Sequence, residues 1–133
     1  AHWPKVIKKG NGLTRQPGHV IDVMATCLDL ADRKYPGEFQ NRRPIPMEGK
    51  SLAPILRGEQ RPGHETLAWK NASGRALMMG DWKIVRPRDK FPWELYDLSS
   101  DPGETANLAK RHPARVKDMA DRYETWRQRV GAR

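Results

Sequence analysis

The stretch from Thr66 to Leu98 limits the possible folds more than any other part of the chain. It holds four strand-like runs in close succession: Thr66 to Lys70, Arg75 to Met79, Trp82 to Arg86 and Trp93 to Leu98. Only Gly80-Asp81 separates the second from the third, and a two-residue link with glycine is the mark of a tight hairpin. Asn71-Ala72-Ser73-Gly74 links the first two as a longer hairpin. Four neighbouring strands on such short links predict an antiparallel meander. Trp82 and Ile84 alternate with Lys83 and Val85, so one face of the sheet is expected to be better buried than the other.

Helical periods lie on either side. Val20, Val23, Met24, Cys27, Leu28 and Ala31 fall at helical spacing, with His19, Asp22 and Asp29 off that stripe. The pattern predicts an amphipathic helix over Val20 to Ala31 with the apolar stripe buried and Tyr35-Pro36-Gly37 ending it. Residues 36–50 carry three prolines and two glycines and read as an irregular surface connection. Ser51 to Gly58 reads as one or two helical turns with a serine cap in front and a glycine stop behind. Trp3 to Ile7 is expected as a short strand, followed by a turn at Lys9-Gly10-Asn11-Gly12. Asp101-Pro102-Gly103-Glu104 is a turn by composition. Pro113 opens a helix over Ala114 to Val130 whose stripe is Val116, Met119, Ala120, Tyr123, Trp126 and Val130. The fold class is therefore α+β: a helix and a long loop, then a four-stranded antiparallel sheet packed with a C-terminal helix.

At 133 residues, with 37% hydrophobic and 31% charged, the chain supports one modest core. No apolar run approaches the ~20 residues of a membrane-spanning helix. Twenty-five Lys and Arg against 16 Asp and Glu give a net charge of +9, which suits an anionic partner. The basic residues are spread out, at Lys5 to Lys9, Arg42-Arg43, Lys83 to Lys90 and Lys110 to Arg133, with no continuous patch in sequence. A strand of nucleic acid is accordingly not expected. One cysteine, Cys27, excludes an internal disulfide and a cysteine-rich zinc site.

Catalytic constellations are sparse. Cys27 lies on the stripe expected to be buried, where cysteine acts as a small hydrophobe. His2, His19, His64 and His112 are scattered, and no pair has the spacing of a helical metal site. There is no phosphate-cradling glycine loop and no nucleophile elbow. Asn71-Ala72-Ser73 has the form of a glycosylation acceptor but reads more simply as turn chemistry. Trp82, Trp93 and Trp126 occupy core-like positions.

The order of segments says more than any one of them. Gly18-His19-Val20-Ile21-Asp22-Val23-Met24-Ala25-Thr26-Cys27-Leu28-Asp29-Leu30-Ala31 resembles a helix of the sulfatase family. So, in the same order as in that family, do Gly49-Lys50-Ser51-Leu52-Ala53-Pro54-Ile55-Leu56-Arg57-Gly58 and Arg75-Ala76 before Gly80-Asp81-Trp82-Lys83-Ile84-Val85. The last match is Trp93-Glu94-Leu95-Tyr96-Asp97-Leu98 leading into Asp101-Pro102-Gly103-Glu104 and Asn107-Leu108-Ala109. Together they are similar to the C-terminal portion of an arylsulfatase-type enzyme of the alkaline phosphatase superfamily. The chain opens at Ala1, not Met, and a fragment is expected. Two departures stand out: Ala25 where the family usually has proline, and Lys70-Asn71 where relatives often carry Glu-His.

The resemblance implies that residues 1–60 are the end of the sulfatase α/β domain and 61–133 its C-terminal antiparallel subdomain. It implies a parent enzyme that hydrolyses sulfate esters with a formylglycine nucleophile and a calcium ion. In such an enzyme the hydrated formylglycine attacks sulfur, and the cation orients it and stabilises charge on the sulfate oxygens. Cys27 is followed by Leu28-Asp29-Leu30, not by the family's formylglycine motif, so no catalytic or metal-binding residue carries over, and this chain alone is expected to be inactive. Lys70, Asn71 and Arg75, flanking one hairpin turn, are the candidate substrate-binding residues; the plainer reading is a solvated turn with Arg75 paired to a carboxylate. Implied partners are the N-terminal catalytic domain and a sulfated small molecule or saccharide, with neither nucleic acid nor membrane. An exposed interdomain face would favour self-association. The family's habit implies a periplasmic or secreted location. The competing readings are a free-standing basic binding module and the tail of a related phosphonate or phosphate monoester hydrolase.

Overall fold

The computed structural model describes residues 1–7 and 12–132, so Lys9 to Asn11 of the expected turn lie outside the described residues. Two units are distinguished, Ala1–His64 and Glu65–Arg133. In the first, Trp3 to Ile7 is a turn and not the expected strand. The amides of Val6 and Ile7 both donate to the Trp3 carbonyl, at 2.9 and 2.8 Å. Pro4 fixes φ in the range a turn needs and has no N–H to give to a ladder.

Helix α1 runs over Asp22–Leu30. It ends well before Tyr35-Pro36-Gly37, because Asp32 takes a left-handed conformation at φ 51. The Arg33 amide then folds back to donate to the Leu28 carbonyl at 2.9 Å. Aspartate tolerates that conformation better than most residues. The following connection is irregular, with one isolated bridge between Phe39 and Arg42. Helix α2, Ala53–Leu56, is a single turn. Its Ala53 amide donates to the Ser51 hydroxyl at 3.0 Å, and Gly58 at φ +84 follows it.

The second unit is the meander. Strands β1 (Leu67–Lys70), β2 (Arg75–Met79), β3 (Trp82–Arg86) and β4 (Glu94–Asp97) pair antiparallel in the order β1-β2-β3-β4. Register places Leu77 opposite Ile84 and Ile84 opposite Leu95, one apolar row across three strands. Helix α3, Pro113–Arg129, covers that row with Met119 and Tyr123. These five side chains are 0–1% exposed and form the core cluster. Trp93 meets the Tyr123 ring edge-on at 5.4 Å, and the Trp126 ring lies tilted 5.5 Å from it. The Arg115 guanidinium lies 4.3 Å over Trp82. The three tryptophans expected at core positions thus ring the cluster. Val130, just past the helix, is 45% exposed and is not part of the buried stripe.

Because Leu77 sits at the centre of the sheet-helix contact, Leu77→Ala should cost about 2–5 kcal/mol. Urea unfolding of the purified chain measures this, and a loss under about 1 kcal/mol would place the core elsewhere.

Candidate functional site

The side of α1 that is buried is its polar side. Asp22 is 0% exposed and Ala25 6%, whereas Val20, Val23, Met24 and Leu30 are 42–77% exposed and Cys27 is exposed. The expected burial of the apolar stripe, Cys27 included, is reversed. The cause is a set of hydrogen bonds at Asp22, Thr26 and Asp29, which share one helix face by their spacing of four and three. The Thr26 hydroxyl donates to the Asp22 carbonyl at 2.7 Å and accepts from the Leu52 amide at 2.9 Å. The Ser51 hydroxyl donates to the Asp29 carboxylate. Residues 50–53 are thereby fastened along the polar face.

Asp22 is the centre of this arrangement. Its Oδ1 accepts from the Lys50 amide at 2.8 Å and from His64 Nε2 at 2.7 Å. Its Oδ2 accepts from the His19 amide at 3.0 Å and from Arg61 Nη2 at 2.9 Å. Arg61 also donates from Nη2 to the Pro17 carbonyl at 2.7 Å and from Nη1 to the Lys50 carbonyl at 2.9 Å. One neighbouring residue, His19, and two segments distant in sequence, at Lys50 and at Arg61 to His64, meet on one carboxylate. Burial pushes the Asp22 carboxyl up, but the Lys50 and His19 amides, His64 and Arg61 outweigh it and bring it from 3.8 down to about 2. An ionised carboxylate only accepts hydrogen bonds, so His64 presents its Nε2 proton. Gly49 permits the approach: a Cβ there would overlap the Ile21 carbonyl. Sequence reading missed this site, whose only signal is an aspartate opening a helix beside an otherwise apolar stripe.

In the second unit, the residues expected to touch substrate surround one turn. Lys70 Nζ donates to the carbonyls of Asn71 and Ala72, at 2.5 and 3.0 Å. Asn71 Oδ1 accepts from the Gly74 amide at 2.5 Å, and the Asn71 amide donates to the Gly74 carbonyl at 3.1 Å. Both side chains therefore build the turn. Arg75 pairs with Asp89 at 2.6 Å. Its Nε is buried with no hydrogen-bond partner among the described residues. Across the sheet, Arg86 Nε donates to the Phe91 carbonyl at 2.7 Å and Nη2 to that of Asp89 at 2.8 Å.

Among the described residues, no three His, Cys, Asp or Glu side chains gather as a metal would require. Asp22 already has four donors, two of them cationic or imidazole, and this donor set does not fit calcium. No reaction step runs through a metal held by these residues.

No family profile matches the chain. It is 33% identical over 120 residues to an uncharacterized sulfatase of Schizosaccharomyces pombe, covering 84% of this chain and 21% of that relative. It is 36% identical over 107 residues to a Delta 4,5-hexuronate-2-O-sulfatase of Bacteroides thetaiotaomicron, covering 74% of this chain and 20% of the relative. A solved 2-O GAG sulfatase superimposes with a TM-score of 0.63 at 28% identity, over 84% of this chain and 25% of that one. A phosphonate monoester hydrolase from Silicibacter pomeroyi shares the fold at a TM-score of 0.60 and 20% identity, over 91% of this chain and 27% of its own. The meander with its covering helix is thus a layer of the alkaline phosphatase superfamily fold. Within that fold, the chain belongs to the sulfatase family and corresponds to its C-terminal portion. It spans about a fifth to a quarter of the length of these relatives.

Removing the charge at Asp22 should break the clasp. Asp22→Asn leaves Arg61 and His64 buried beside a neutral group and should cost about 3–5 kcal/mol. The depressed carboxyl contributes stability above pH 4 that is lost as pH falls from about 4 towards 2, about 2 kcal/mol in all. Acid titration of stability for parent and variant measures this. Glu124, also brought down to about 2, by Arg127, titrates in both proteins, so the difference isolates Asp22.

Proposed function

We propose that the chain is the C-terminal part of an arylsulfatase-type enzyme that hydrolyses sulfate esters of saccharides. The observation that carries this reading is the outward apolar side of α1 in a chain homologous to about a fifth of longer sulfatases. The occupant we assign to Val20, Val23, Met24 and Leu30 is the N-terminal catalytic domain of the same polypeptide, which in this reading carries the formylglycine and the calcium ion. The chain described here supplies scaffold, and the turn at Lys70, Asn71 and Arg75 forms one wall of the substrate entrance. A basic wall raises the local concentration of an anionic ester. The sulfated-saccharide substrates named for relatives support that class, and export to the periplasm or beyond follows the family.

A phosphonate monoester hydrolase is the second reading, favoured by the shared fold alone. A free-standing basic module is weaker. Binding single strands calls for exposed aromatic platforms, and Trp82, Trp93 and Trp126 are packed against the core.

The 133-residue chain, incubated with calcium and an aryl sulfate, should show no turnover above blank. The whole polypeptide should release sulfate from sulfated saccharides, with formylglycine found by mass spectrometry. Preference for a phosphonate monoester would select the second reading, and turnover by the short chain would remove the first. The uncovered α1 face also predicts concentration-dependent association of the short chain, reduced by Val23→Lys. Sedimentation velocity reads this, and a monomer at all concentrations would count against the assigned occupant.

A further inference from the structure

The meander separates charge along its strands. Chain direction alternates from β1 to β4, so residues 71–74 and 87–93 leave the sheet at one end, and Gly80-Asp81 and the residues after Asp97 at the other. The second end carries Asp81, Asp97, Asp101 and Glu104, and three of the four are engaged locally. Asp97 accepts from Ser99, Asp101 from the Thr105 and Ala106 amides, and Glu104 pairs with Lys83. The first end carries Lys70, Arg75, Arg86, Arg88 and Lys90 against two carboxylates, Asp89 and Glu94, the second of which accepts from the Tyr96 hydroxyl at 2.9 Å.

Three of these cations stand in one row. Lys70 is opposite Arg75, and Arg75 is opposite Arg86. With a side-chain period of two, Arg75 shares the face of Leu77, and Arg86 that of Ile84. Like charges directly opposite one another weaken strand pairing, and the carboxylates that offset this row act on Arg75: Asp89 by an ion pair, and Glu124, whose carboxyl the Arg75 charge helps to lower. Arg86 is occupied by the Asp89 and Phe91 carbonyls of its own loop. That tie fixes the loop while Arg88 and Lys90 remain exposed, their charged groups without a side-chain partner among the described residues. Phe91, next to Lys90, is 50% exposed. An exposed guanidinium and an exposed ammonium two residues apart in sequence, followed by an exposed phenylalanine, offer charge and apolar surface to a compact anion. A nucleic-acid strand needs successive stacking platforms.

We propose that this end of the sheet is an anion-binding rim for a sulfate group of the saccharide, with Arg88 and Lys90 as the contact groups. Arg75 and Arg86 position the loop that presents them. The assignment rests on the sulfatase reading and names a contact site within it. Arg88, Lys90 and Phe91 lie outside the turn singled out from sequence.

Calorimetric titration of the chain with a doubly sulfated disaccharide, its desulfated counterpart and a short oligothymidylate tests it. At about 150 mM salt, the sulfated sugar should bind and the other two bind far more weakly. The double variant Arg88→Ala/Lys90→Ala should weaken binding about tenfold or more by removing two charge-assisted contacts. Lys117→Ala, on a lysine already paired with Asp121, should leave it unchanged. Equal affinity of the double variant, equal binding of the oligonucleotide, or no binding by the parent chain would each overturn the rim. Turnover by the whole polypeptide is read separately. A failed rim with sulfate release intact leaves the enzymatic reading standing, and intact rim binding without sulfate release removes that reading while supporting an anion site.

Discussion

An ionised carboxylate taken fully out of water costs several kcal/mol unless its oxygens are hydrogen-bonded and its charge is matched. Asp22 meets that demand with two backbone amides, a guanidinium and an imidazole N–H. The donors come from residues 19, 50, 61 and 64, so the first unit is organised by a polar centre more than by an oil-like one. Its conformation depends on this. Gly49 must lie against the Ile21 carbonyl for the Lys50 amide to arrive, and Arg61 must bridge to the Pro17 and Lys50 carbonyls. With the polar face of α1 committed inward, its valines and methionine are left facing out.

The second unit is held together differently. Leu77, Ile84 and Leu95 form a row that period-two alternation places on one face, and α3 supplies Met119 and Tyr123 at a spacing of four. Tryptophans around the edge enlarge the buried area and meet Tyr123 edge-on or tilted. The polar ends of this unit are not alike. Its acidic end is largely engaged in local hydrogen bonds and an ion pair, while its basic end keeps open cations.

Local signals were strong where neighbours in sequence are also neighbours in space. The Gly80-Asp81 hairpin, the strand alternation and the long stripe after Pro113 each depend on contacts within a few residues or across one turn, and each formed where expected save at Val130, which caps the helix and is exposed. The Trp3–Ile7 segment failed because an apolar, β-branched run says nothing of Pro4 and of where the Trp3 carbonyl will find donors. The α1 face failed for a related reason. Periodicity identifies two faces of a helix, and the usual rule buries the apolar one, but here hydrogen bonds from distant residues to Asp22 and Thr26 decide which face turns inward.

The secondary elements of the meander, the closing helix and the family are legible in the residues alone, because short links, alternation and ordered motifs are local properties. Packing in three dimensions is what buries Asp22, turns Val23 and Met24 outward, and gathers five cations scattered between Lys70 and Lys90 at one sheet end. Those outcomes depend on which distant donors reach a carboxylate and on the strand register that sets side chains opposite one another, and neither is written in any single stretch of residues.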